Sequence, residues 1–123
     1  MKRKTKSILT AGLCAIPAML GLVAPGLSSA GELTFHLVVE NGAVAGGAPT
    51  LRATEGDDVA IALESDDGME IHLHGYDIAA HLVPGETVSL VFRADIVGRF
   101  PAEPHDHGGG HRPALFYLEV HPQ

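Results

Sequence analysis

Histidine is the residue type that singles this sequence out: there are eight in 123 residues. Two of them form His72-Leu73-His74. On a β-strand, residues two apart leave the same face, with Cα atoms about 6.6 Å apart. Two neutral imidazoles so placed can share one metal ion when a third ligand arrives from elsewhere. The second group is His105, Asp106, His107 and His111, with Gly108 to Gly110 between. Short histidine-rich tracts are candidate metal ligands by composition, and the glycines let the backbone fold the imidazoles inward. Met69 offers a thioether that suits Cu(I), but its place beside Ile71 and Leu73 reads as core. His36 alternates with Phe35 and Leu37 and reads as solvent-facing, His121 sits at the C-terminal end, and neither these nor His81 are favoured as ligands. Tyr76 and Asp77 follow Gly75, and Asp77 reads as a turn-shaping residue.

The elements that must position these groups show a period of two. Leu33 to Val39 alternates apolar and polar residues, and Asn41-Gly42 and Gly46-Gly47 then break the chain. Leu51 to Ala53 reads as a short strand. Val59, Ile61 and Leu63 mark the next, and Met69, Ile71 and Leu73 the one that carries His72 and His74. Ile78 to Val83 is weaker, Val88 to Phe92 is clear, Phe100 starts a brief strand, and Leu115 to His121 is the last. Residues 104–113 read as a loop. Seven or eight short strands with Gly, Pro and Asp punctuation imply an all-β, Greek-key sandwich or barrel, antiparallel in character. Its core is expected to hold Phe35, Leu37, Val59, Ile61, Ile71, Leu73, Leu90, Phe92, Phe100, Leu118 and Val120.

Charge divides the chain near residue 30. Lys2, Arg3, Lys4 and Lys6 precede an apolar stretch from Ile8 to Leu27, and Ser28-Ser29-Ala30 follows. This is the layout of a signal peptide over residues 1–30, cleaved after Ala30, which implies a periplasmic or secreted protein. Pro17 and Pro25 argue against a retained membrane anchor, and bulky Leu13 argues against lipidation at Cys14. Residues 31–123 then form one small domain. They hold all fifteen acids and four of the eight bases, a formal charge of −11, and neither Cys nor Lys. Disulfide and thiolate chemistry are excluded from that segment. Nucleic acid is an unsuitable partner for so acidic a chain, and no stable membrane insertion is expected after cleavage.

Several segments resemble the cupredoxin family. Glu55-Gly56-Asp57 before Val59-Ala60-Ile61 is similar to its Gly-Asp turn into a core strand. His72-Leu73-His74-Gly75 resembles the stretch that carries the first histidine ligand, and also resembles multicopper oxidase domains. Pro84-Gly85-Glu86-Thr87 before Val88, then Gly98-Arg99-Phe100 and Leu118-Glu119-Val120, resemble later strands. The resemblance runs from about Leu33 to Val120. It implies a cupredoxin-like fold and a site joining His72 or His74 to His105 or His107. One departure is large: Glu103 and Pro104 stand where a blue-copper protein has its cysteine, so blue-copper electron transfer is not carried over.

The leading expectation is therefore a metal-binding module with ligands drawn from His72, His74, His105, His107 and His111. Copper is the first choice and zinc the alternative, since imidazole suits both. The competing reading is a metal-free sandwich that docks onto a periplasmic protein partner. A small copper or zinc enzyme ranks third, because the chain is short and lacks a disulfide; on that ground the chain is read as not an enzyme.

Overall fold

The computed structural model describes Gly26, residues 29–105 and residues 112–123. These form nine strands and no helix: β1 (Glu32–Glu40), β2 (Ala43–Val44), β3 (Thr50–Thr54), β4 (Asp58–Ser65), β5 (Met69–Leu73), β6 (Ile78–Leu82), β7 (Thr87–Arg93), β8 (Gly98–His105) and β9 (Phe116–His121). The alternation read from the sequence is the physical cause of the layers. Leu33, Phe35, Leu37 and Val39 leave one face of β1, and Val59, Ile61 and Leu63 leave the matching face of β4. Two sheets cover the core, a four-stranded one in the order β2-β1-β4-β7 and a five-stranded one in the order β3-β9-β8-β5-β6.

The expected all-β sandwich is present, but its sheets are mixed. β1 runs parallel to β4, and β3 runs parallel to β9, whereas the other pairs are antiparallel. The two parallel pairs join segments far apart in sequence, which punctuation between neighbouring strands cannot reveal. β2 is also new. Asn41 and Gly42 both have positive φ, 53° and 76°, and Glu40 pairs with Ala43. An Asn-Gly pair in that conformation makes a two-residue hairpin turn rather than a simple break.

Phe116 is the largest of the fully buried side chains, and Ile61, Leu63, Ile71, Leu73, Leu115 and Leu118 are fully buried in the same core. Met69 is buried in the same core. Phe35, Phe92 and Phe100 lie only partly buried against its margin. Two of these rings gather around Tyr76, at centroid distances of 4.9 Å for Phe92 and 5.1 Å for Phe100. The Tyr76 hydroxyl donates to the Ile96 carbonyl at 2.9 Å and accepts from the Ile96 N–H at 3.0 Å. Burial is the main cause that pushes the phenol above its ordinary pKa, with the Ile96 hydrogen bond opposing it.

β8 corrects a boundary that matters for the site. Pro104 was expected to open a loop, yet β8 continues through Pro101 and Pro104 to His105. Proline lacks the N–H that a central strand ordinarily donates. Its carbonyl still serves: the Pro101 carbonyl accepts from the His74 N–H at 3.0 Å. His105 is therefore a strand residue with a fixed partner in β5.

Candidate metal centre

β5 turns Ile71 and Leu73 into the core, so Glu70, His72 and His74 stand on the outer side. β8 turns Ala102 and Pro104 inward, which sends Glu103 and His105 to that same side. The register pairs His72 with Glu103 and Glu70 with His105. The His72 and His74 rings are 4.5 Å apart between centroids, and the His72 and His105 rings 6.0 Å apart. Three of the five expected ligands are thus brought together on one sheet face. His107 and His111 lie outside the described residues, as does nearly all of the expected signal peptide.

Each member of the His72–His74 pair has a carboxylate neighbour that the sequence reading did not assign to the site. His72 Nε2 lies 3.0 Å from Asp77 Oδ1. A carboxylate only accepts, so this contact places the proton on Nε2 and leaves Nδ1 as the open ring nitrogen. Asp77 reaches His72 from a tight turn in which its own φ is 54°. The turn-shaping role expected of Asp77 is therefore present, and the histidine contact is added to it. His74 Nε2 lies 3.1 Å from Glu103 Oε2, at ion-pair distance. The alignment is not that of a hydrogen bond, and this nitrogen is shielded from solvent. It is the only such side-chain atom without a hydrogen-bond partner among the described residues. The signal for Glu103 was its cross-strand position, which becomes visible only once β8 is extended past Pro101.

The remaining described histidines are exposed, as the alternation predicts for His36. His36 is exposed and pairs with Glu64 at 3.1 Å on the four-stranded sheet. His121 pairs with Glu119 at 2.8 Å, and that glutamate also holds Arg99 at 3.2 Å. His81 is exposed opposite Glu70.

The donors present suit Cu(II) or Zn(II), which imidazole nitrogen and carboxylate oxygen both bind. Shielded His74 Nε2 without a hydrogen bond fits a nitrogen available to a further partner. Among the described residues, however, no three His, Cys, Asp or Glu side chains already converge as a metal-holding group.

No family model matches this sequence, and no curated protein matches it. Solved structures do match the fold. A blue copper oxidase from Nitrosomonas europaea superposes with a TM-score of 0.62 at 21% identity, over 75% of this chain and 39% of that one. A copper nitrite reductase from Nitrosomonas europaea gives 0.58 at 22% identity, over 75% and 42%. A multi-copper oxidase from Pseudomonas thermotolerans gives 0.58 at 23% identity, over 76% and 30%. The resemblance to cupredoxins thus holds as a fold: the chain is a cupredoxin-like β-sandwich, the fold of copper-protein families. It spans less than half the length of each of these three chains.

These matches overturn the reading of the chain as not an enzyme. That reading rested on small size and a missing disulfide. The matched structures are named as oxidases and a nitrite reductase, and this fold occupies only a part of each. Small size is what one such module within an enzyme has, so it argues nothing against an enzymatic setting.

Proposed function

We propose that this chain is an exported copper-associated domain that holds Cu(II) through His72, His74 and His105, with His107 and His111 as further donors. Three imidazoles on one sheet face, with ring centroids 4.5 and 6.0 Å apart, carry the reading. Asp77, bonded to His72 Nε2, would leave Nδ1 to face the metal and fix the ring's orientation, the usual role of a carboxylate behind a metal-bound histidine. Glu103, 3.1 Å from His74 Nε2 without a hydrogen bond, would add a carboxylate beside that nitrogen, which stays available to the ion. Zinc is the alternative ion for the same donors. When bound, Cu(II) supplies a Lewis-acidic and redox-active centre. The work of this chain's residues is to select the ion and hold it at the sheet surface. Export to the periplasm or beyond, with loss of residues 1–30, would make the domain a carrier or buffer of copper there. The same module would serve equally well inside a larger copper protein.

The test is Cu(II) titration of the untagged protein beside its His72→Ala and His74→Ala variants, singly and together. Ligands of one site are coupled. Either single change should remove most of the affinity, and the double change should add little more. Equal affinity in all four proteins would remove the site and favour the partner-docking sandwich.

A further inference from the structure

We propose a second divalent-cation site beside the first, formed by Glu70, His81 and His105 and suited to Zn(II). The register places these residues in one line across three adjacent strands. Glu70 of β5 is directly opposite His81 of β6 on one side and His105 of β8 on the other. Directly paired residues share a sheet face, and their Cβ atoms stand about 4.5–5.5 Å apart. The line is therefore imidazole, carboxylate, imidazole, all on the outer face. Two nitrogens and one oxygen, with room for water in the fourth position, make a donor set that tetrahedral zinc accepts.

Two further observations separate this line from the His72–His74 pair. Among the described residues, Glu70 and His81 make no hydrogen bond or ion pair, whereas His72 and His74 each have a carboxylate at Nε2. The neighbour of His81 two residues back along β6 is Ala79, whose short side chain leaves open space. Glu70, Ala79, Ala80 and His81 line a depression of about 170 Å³ there. All three donors are exposed. They are not gathered around one point beforehand, and bringing them together asks only for rotation of side chains that meet no packing. The two imidazoles stand two strand spacings apart, roughly 9.5 Å, and leaning toward the central carboxylate closes that gap. His105 is common to both sets and would serve two ions with one ring nitrogen each, its second ring proton passing to solvent, so residues unique to each distinguish them: Glu70 and His81 for this site, His72 for the other.

The experiment is calorimetric titration of the untagged full chain with Zn(II), beside His81→Ala, Glu70→Gln and His72→Ala. All three side chains lie outside the core, and circular dichroism checks that each variant keeps its strands. The parent should bind two ions. His81→Ala and Glu70→Gln should each weaken one of them at least tenfold and the other, which shares His105, distinctly less. His72→Ala should do the reverse. Binding of Zn(II) by His81→Ala and Glu70→Gln at the parent's stoichiometry and affinity would overturn the second site. A single ion lost only in His72→Ala would overturn it while sustaining the first site. A single ion lost only in His81→Ala and Glu70→Gln would sustain it and remove the first.

Discussion

Gly75 shows how narrowly one residue sets the histidine face. It follows β5 with φ of 83°, and a Cβ added there would overlap the Phe100 ring. Gly98 sits against the same ring from another side, its φ 147°. Gly75→Ala combines a left-handed backbone with a clash against a ring that is itself hemmed in. It should cost about 1–3 kcal/mol from the backbone alone, and more in total. Urea unfolding would read this, and a loss below about 0.5 kcal/mol would mean that the turn relaxes freely. At this scale the sequence was partly legible. His72 and His74 declared themselves through their spacing of two. His105 was named, yet its place was misread because Pro104 signalled a loop. The carboxylates Asp77 and Glu103 were missed as partners. Asp77 reaches its histidine through a turn, and Glu103 through a strand pairing whose register no local pattern encodes.

At the scale of elements, burial orders the aromatic residues differently from alternation alone. Phe116 of β9 is fully buried, whereas Phe92 of β7 lies at the core's margin against Tyr76. Phe116→Ala should therefore cost about 3–5 kcal/mol, and Phe92→Ala distinctly less. Equal costs in urea unfolding would contradict this ordering. Tyr76, against Phe92 of one sheet and Phe100 of the other, adds a dependence on alkali. Its ordinary value is 10.0, and burial raises it in the folded chain. The unfolded chain then loses the phenolic proton first as pH rises. The stability from this group is complete below about pH 10 and falls as pH climbs through the raised folded value. Tyr76→Phe should flatten that decline while losing the two hydrogen bonds to Ile96. A parent and variant with the same alkaline slope would show that Tyr76 does not carry it. The strands themselves were legible from periodicity because each buries one face. β2 was not, since two residues show no period, and the parallel pairs were not, since they join distant segments.

Across the whole molecule, charge and fold pull in opposite directions. Residues 31–123 carry a formal charge of −11 on a compact sandwich, and like charges repel. Raising ionic strength from about 0.01 M to about 0.15 M shortens the screening length from about 30 Å to about 8 Å. The melting temperature should rise over that range in metal-free buffer, and a fall would mean that ion pairs such as Arg99–Glu119 outweigh the repulsion. The position of β9 carries a further consequence. It is the last of the nine described strands in the chain, yet it lies inside the five-stranded sheet, with β3 on one side and β8 on the other. As the polypeptide emerges from the ribosome, β3 has no neighbour to bond until residues 116–121 appear. The five-stranded sheet therefore cannot be completed before residues 116–121 are available, whereas every strand of the four-stranded sheet has been made by then.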